Sequence, residues 1–395
     1  MSTSTTLPFA VLRSFQGSRR SRRTYSMTSS LLSSWSAALV SLLKSYCGCC
    51  CSCSIKTRES INGRQLIVDR RTPVGEGAFS YVFACVDILT NEKLAMKELI
   101  CASSEQLELA RREIRAHDTI GNHPGILPLY DSVEVPRKGR HGGVVVKLLL
   151  PLLVRGTLYE KVQTQGRMGE RVALRLFRSL CSAVHKIHSC GLAHRDIKPH
   201  NVLMSELGDP ILMDFGSCAE VPIRITSRQQ AVMLQDEAAQ LCSQPYRAPE
   251  LFDVASDMEI NETLDVWSLG CVLFAITFGK GFSPFEIQWQ DDEPVPCQVS
   301  MSAVINAVRI PENVERRYSA EVKNLVDWML TVEIQNRPKL PQVLDELDAK
   351  WPDLLYGKDS VAEKYKGGGR GRRGSRRASS GSVGARGERR GPSNV

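Results

Sequence analysis

No run of about 18 consecutive apolar residues occurs anywhere along the chain, so a membrane-spanning helix is not expected. A removable secretory signal is also poorly supported. The one apolar N-terminal segment, residues 31–43, is broken by four serines and lacks a clear small-residue cleavage site. No internal repeat is visible. Acidic residues are scarce at both ends: the first 58 residues carry eight Lys or Arg and neither Asp nor Glu, and from Lys366 onward nine Lys or Arg face Glu388 alone. The formal net charge of +8 therefore belongs to the ends, and the middle of the chain is net acidic. The basic run Gly368-Gly369-Arg370-Gly371-Arg372-Arg373-Gly374 has no aromatics between its arginines, so there is no strong case for nucleic acid. A solvated tail that touches anionic lipid or acidic partners through charge is the preferred reading.

With 395 residues, two lobes or domains plus tails are expected. Composition divides the chain into a Ser/Arg-rich leader (1–58), a mixed globular body (59–356) and a Gly/Arg/Ser tail (357–395), which cannot bury enough apolar surface to offset chain entropy. Five of the thirteen cysteines fall within residues 47–53; the other eight are scattered among apolar neighbours and read as reduced core thiols. In the body, Leu66-Ile67-Val68 and residues 81–86 have the composition of strands. Beyond residue 170 the period changes: Val172, Leu176, Phe177, Leu180, Val184 and Ile187 mark one face of a helix, and residues 265–276 and 320–330 repeat the pattern. The expected fold is α+β, with a small antiparallel-sheet lobe (about 61–150) carrying one main helix and a larger helical lobe (about 154–356).

Gly75-Glu76-Gly77-Ala78-Phe79-Ser80-Tyr81-Val82 sits between two strand-like runs, where glycines let a hairpin close over phosphate oxygens without Cβ interference. A plain β-turn is the blander reading, and Ser80 stands where such loops usually carry a third glycine. Lys97 ends the next strand-like run, Ala95-Met96-Lys97, and Glu113, in the helical run 107–117, is its candidate partner. A solvated glutamate on a helix face is the alternative there. His194-Arg195-Asp196-Ile197-Lys198-Pro199-His200-Asn201 is followed by Asp214-Phe215-Gly216, and the stretch between them reads as a hairpin turning at Gly208-Asp209-Pro210.

These strings, in this order and spacing, resemble the motif set of protein kinases and imply the bilobal fold of that family. On that resemblance Asp196 accepts or orients the substrate hydroxyl, Lys198 stabilises the transferring phosphoryl group, and Asn201 and Asp214 ligate Mg²⁺. Val74, Gly75, Gly77, Val82, Ala95, Lys97, Glu113, Leu150, Pro151 and Leu153 belong to the ATP site, with Leu150 as gatekeeper and the Leu153 N–H as a donor to adenine. Phe215 and Gly216 open an activation segment that residues 246–250 close. Glu250 is expected to pair with Arg337 in a buried, fold-specifying ion pair. Asp265 is expected to brace the catalytic loop, and a simple helix N-cap is its compatible alternative. Lys198 and Ser243, whose hydroxyl would bridge Asp196 and Lys198, point to Ser/Thr over Tyr acceptors.

Residues 75–82, 148–151 (Leu-Leu-Leu-Pro), 155–158 (Arg-Gly-Thr-Leu), Ser227-Arg228-Gln229 and Leu234-Gln235-Asp236 narrow the resemblance to the Numb-associated kinase family, and residues 213–217 and 265–273 add to it. That family implies Mg-ATP-dependent phosphorylation of Ser/Thr in protein substrates, a helical element in the activation segment to which residues 229–242 would contribute, and attachment to Golgi or other secretory-pathway membranes on the cytoplasmic side. The second reading is a membrane-associated pseudokinase scaffold that binds nucleotide without efficient turnover. Arg195 is a candidate phosphate receiver, with Ser217, Thr226 and Ser227 as candidate donors, although a preformed helical segment would make this unnecessary. The sequence does not speak to oligomeric state.

Ser2 rules out N-myristoylation, so membrane targeting, if it exists, must come from elsewhere. The candidates are Cys47, Cys49, Cys50, Cys51 and Cys53 as S-acylation sites beside the Leu/Ser/Trp segment 31–46. A zinc cluster competes with this reading, as does an Arg- and Ser-rich leader for organellar import, and Met27 is an alternative start. In the tail, Arg376-Arg377-Ala378-Ser379 resembles a site for basic-directed kinases.

Overall fold

Residues that pack well on a pleated surface crowd the first third of the body and form strands there. The computed structural model describes residues 56–77, 80–137 and 142–356; the cysteines at 47, 49, 50, 51 and 53 and the tail from 357 lie outside these. Strands β1 (Lys56–Ile61), β2 (Arg64–Asp69), β3 (Gly75–Gly77), β4 (Ser80–Asp87), β5 (Lys93–Cys101), β6 (Asp131–Pro136) and β7 (Val144–Pro151) form one antiparallel sheet of order β1-β2-β4-β5-β7-β6, with β3 paired to β4. The sheet starts before residue 59, because Lys56, Thr57 and Arg58 pair with Asp69, Val68 and Ile67, so the last residues of the expected leader are strand. β5 likewise does not end at Lys97, since Glu98 to Cys101 continue the ladder with β7.

One sheet face closes a small core of Ile61, Leu66, Val68, Cys85, Leu94, Met96 and Leu149. On the other, Cys101, Val146 and Leu148 pack against Ala110 of helix α1 (Ser104–Ile120). A capping box starts α1: the Ser103 hydroxyl accepts from Gln106 N–H, and the Gln106 side chain accepts from Ser103 N–H. Gly121, at φ 66°, ends it. The buried residues Ala110, Glu113, Ala116 and Ile120 share one face, so the packing of α1 on the sheet aims Glu113 inward.

The helical lobe follows with α2 (Leu158–Gln165), α3 (Glu170–Ser189), α4 (Arg228–Leu241), α5 (Thr263–Thr277), α6 (Ala320–Met329) and α7 (Leu340–Lys350). α3 buries Leu176, Phe177, Leu180, Val184 and Ile187 as their spacing predicts, but Val172 is 54% exposed because Ala173 and Leu174 take the inward positions of the first turn. α5 departs from the expected one-sided pattern. All its residues are buried, since it lies between α3 and α6 at the centre of the lobe. Asp265 is not its N-cap; Glu262 holds that position, and Asp265 lies in the first turn with its carboxylate free for other work.

Arg337 fastens this lobe to the segment before α5. Its Nη1 and Nη2 donate to Glu250 Oε1 and Oε2 at 2.7 and 2.9 Å, and it also donates to the carbonyls of Thr263, Thr331 and Val332. Both side chains are buried, so truncating one strands the other's charge away from water. Glu250→Ala is expected to lower stability by about 3 to 5 kcal/mol, read from the urea midpoint. Breaking the exposed Arg316–Glu312 pair with Arg316→Ala should change it by no more than about 0.5 kcal/mol.

Candidate active site

Between sheet and helical lobe lies a cleft of about 490 Å³. Val74, Val82 and Ala95 line it from the sheet, and Leu203 and Met213 line it from the helical lobe. Leu150, Pro151, Leu152 and Leu153 line the connection between the lobes. Val74 N–H donates to Val82 carbonyl at 2.7 Å, and Gly75 faces Val82 in the β3–β4 ladder, which folds the glycine strand over the cleft. At Gly77 a Cβ would come within 2.7 Å of the Ser80 hydroxyl, so a side chain at 77 would crowd the hairpin. The Leu153 N–H has no partner among the described residues, which leaves it as a donor on the lining of the cleft.

β5 and α1 bring Lys97 and Glu113 together: Lys97 Nζ donates to Glu113 Oε1 and Oε2 at 2.7 and 3.0 Å, and to Asp214 Oδ1 at 3.0 Å. Burial pushes the Lys97 ammonium pKa down, but the attraction of Asp214 and Glu113 outweighs it and holds the group above its ordinary value. The Lys97 charge in turn pulls Asp214 down to about 2. The Asp214 side chain stays 46% exposed, so its carboxylate is available to a ligand as well as to Lys97.

Opposite lies the catalytic loop. It is fixed by Asp265, whose Oδ2 accepts from His194 N–H at 2.7 Å and whose Oδ1 accepts from Arg195 N–H at 2.8 Å. These bonds hold Arg195 at φ 70°, a left-handed conformation rarely adopted by arginine. His188 Nε2 lies 2.9 Å from Asp265 Oδ2. The loop then presents Asp196. Its Oδ2 accepts from Lys198 Nζ at 2.8 Å and Asn201 Nδ2 at 3.0 Å, and its Oδ1 accepts from Ser243 N–H at 2.9 Å. The Ser243 hydroxyl accepts from Lys198 Nζ at 2.6 Å, so Ser243 bridges the pair through its amide and hydroxyl together and not through the hydroxyl alone.

Strands β8 (Leu192–Ala193), β9 (Val202–Met204) and β10 (Pro210–Leu212) carry the loop and the hairpin after it. β9 and β10 pair with Met204 opposite Pro210, and Met213 N–H donates to Asn201 carbonyl at 2.9 Å, which sets Asn201 beside Asp214 across the turn at Gly208. Phe215 is fully buried, its ring 4.7 Å from that of His117 on α1 and 5.3 Å from that of His194. These edge-on ring contacts tie α1 to the catalytic loop.

A family model of the protein kinase domain matches residues 68–347. The chain belongs to the protein kinase family. Serine/threonine-protein kinase 16 of Rattus norvegicus is 39% identical over 306 residues, spanning 76% of this chain and 95% of the relative. The Homo sapiens protein of that name is 38% identical over the same shares. A probable serine/threonine-protein kinase of Dictyostelium discoideum is 30% identical over 360 residues, 73% of this chain and 95% of its own length. The kinase is thus of the serine/threonine class.

Protein kinases use ATP and Mg²⁺, and the residues present fit both. Asn201 donates through Nδ2 alone, which leaves its amide oxygen, beside the half-exposed Asp214 carboxylate, as a pair of hard oxygen donors suited to Mg²⁺. The apolar sides of the cleft suit a flat aromatic base.

Several lining residues escape motif reading. Leu127, Leu203 and Met213 join Ala95 and Leu150 in the apolar wall; Leu203 and Met213 lie beside the strings at 194–201 and 214–216, whereas Leu127 lies near no string. His200 stacks on Tyr159 with ring centroids 3.9 Å apart.

Burial lowers His117 and His200 from the ordinary 6.5 to about 4, with the Lys97 charge adding to the effect at His117 and the Lys198 charge at His200. Both rings are therefore neutral in the folded kinase where the unfolded chain would already bind protons, so stability falls as pH drops from about 6.5 towards 4. Urea midpoints across this range should decline, and a His117→Gln/His200→Gln variant should show a shallower decline than the parent.

Proposed function

We propose that this kinase transfers the γ-phosphate of ATP to Ser and Thr hydroxyls of protein substrates, with Asp196 as the group that takes or orients the hydroxyl proton. The observation that carries this reading is the set of bonds on Asp196: Lys198, Asn201 and Ser243 all donate to its carboxylate, on the side of the cleft opposite Lys97, Glu113 and Asp214. Phosphoryl transfer needs positioning and charge placement more than covalent help, and these residues supply both. Lys97, held by Glu113, positions the α and β phosphates. Lys198, held between Asp196 and Ser243, meets charge on the group in transit. Asn201 and Asp214 would hold Mg²⁺, which when bound neutralises phosphate charge. Val82, Ala95, Leu203 and Met213 exclude water around the base.

Purified full-length protein with Mg-ATP should label a generic Ser/Thr acceptor. Asp196→Asn should slow labelling by about 10²-fold or more, since the group that handles the proton is lost. Lys97→Met should raise the KM for ATP and lower kcat together. Unchanged rates in Asp196→Asn would reject the assigned role.

The finer placement, within the Numb-associated kinases and at a secretory-pathway membrane, is supported by the motif resemblance and by the five cysteines between 47 and 53. Two or more acyl chains there, at roughly 0.8 kcal/mol per buried CH₂, suffice for stable anchoring. Among the described residues no helix is long and apolar enough to cross a membrane. Full-length protein should fractionate with membranes, and replacing all five cysteines by Ser should release it. Retention of the Ser variant would rule out acylation as the anchor.

A further inference from the structure

His200 sits beside the reacting groups. It is half-buried, lines the cleft with Asp196, Lys198 and Thr157, and stacks on Tyr159 with the ring planes 22° apart. Phe282 meets the Tyr159 ring edge-on, the centroids 6.2 Å apart at 77°. The catalytic loop, the first turn of α2 and the loop after α5 thus contribute one ring each to an apolar shelf. Its support is built in. At Gly281 a Cβ would come within 3.3 Å of the Tyr159 ring and 2.8 Å of Gln163 Nε2, which donates to the Lys280 carbonyl at 2.7 Å. Neither His200 nor Tyr159 makes a side-chain hydrogen bond among the described residues, so no polar bond within the fold accounts for their pairing. Half-buried flat rings beside a reaction centre offer contact area at little conformational cost.

The charges around the shelf decide what it takes. The Asp196 carboxylate is already met by Lys198, Asn201 and Ser243. Glu160, next to Tyr159, turns back on its own helix start: Oε2 accepts from Thr157 N–H at 2.9 Å, and Oε1 is buried. Glu286 accepts from Ser283 N–H at 2.8 Å, and burial pushes its pKa up. Each of these carboxylates is engaged within the fold, and none is offered to a cation on the shelf. His200, held at about 4 by burial and the Lys198 charge, is neutral at pH 7. A guanidinium arriving there would meet the Lys198 charge and lose water without a counter-charge. Its attraction to the Tyr159 ring is reduced, because His200 covers one face.

We propose that the shelf of Tyr159, His200 and Phe282 binds an apolar side chain of the substrate close to the acceptor Ser or Thr and rejects Lys or Arg at that position. This rests on the phosphotransferase reading above and gives that reaction a substrate class: acceptors flanked by Leu, Met, Phe or Tyr in preference to basic residues. Tyr159 and His200 are specificity residues, with no part in handling the proton or the metal.

The test uses full-length protein with Mg-ATP and a synthetic peptide series. Each peptide has one Thr acceptor in an Ala/Gly background, with Leu, Phe, Arg or Glu placed at each position on both sides in turn. At one position near the acceptor the parent should use Leu and Phe about tenfold better than Arg in kcat/KM. Tyr159→Ala should bring that ratio to within about twofold of unity, and His200→Glu, which puts a carboxylate on the shelf, should turn it in favour of Arg. A ratio that changes at one peptide position and no other is not a consequence of general destabilisation. Equal use of Leu, Phe and Arg at every position by the parent, or a preference for Arg, would overturn the proposal without needing any variant to fold. An apolar preference that survives both substitutions would overturn it too. If no peptide is labelled by the parent, or Asp196→Asn labels them equally well, it is the phosphotransferase assignment that fails.

Discussion

The geometry of this kinase depends on one buried carboxylate. Asp265 is fully buried in the first turn of the central helix α5 and accepts hydrogen bonds from the backbone of His194 and Arg195. A carboxylate is buried there because the helix around it has no solvent-facing side, and it is tolerable only because donors surround it. Burial pushes its pKa up, but the His188 side chain and the Arg195 N–H hold it below the ordinary value. From Asp265 the consequences run outward: Arg195 is held in its left-handed conformation, Asp196 is aimed into the cleft, and Asn201 is set where β9 begins. Asp214, also left-handed at φ 69°, is the second strained position, so the two non-glycine residues of the site with positive φ frame the reacting region.

Among the described residues, three side-chain links between the lobes stand out, two by charge and one by ring packing. Lys97 joins Glu113 of α1 to Asp214 by charge. Phe215 joins His117 to His194 by ring packing. Glu237 joins Arg112 to Arg195, again by charge, but outside the cleft. The first two are built from motif residues or their direct neighbours. The third comes from an activation-segment helix whose sequence shows only that helix is permitted there.

What could be read beforehand follows from how local each constraint is. The β9–β10 hairpin and the face of α3 are set by short-range turn chemistry and period, and the structure has both. The all-round burial of α5 was not legible, because a helix surrounded by other helices differs from a one-sided one only through its neighbours. The extension of β5 beyond Lys97 depends on β7 continuing beside it. In the site, chemistry-bearing residues stood out as strings, whereas Leu127, Met213 and Glu237 did not: an apolar wall residue or a helix glutamate has no signature until the fold brings a partner to it. The account of the N-terminal cysteines rests on spacing alone, since they lie outside the described residues.

The central claim is that the Asp196 constellation phosphorylates Ser and Thr hydroxyls, and phosphoamino-acid analysis of labelled product addresses it most directly. After incubation of the purified full-length kinase with γ-labelled ATP and Mg²⁺, label should be found in phosphoserine and phosphothreonine and be absent from phosphotyrosine. No labelled product, or label confined to phosphotyrosine, would contradict it.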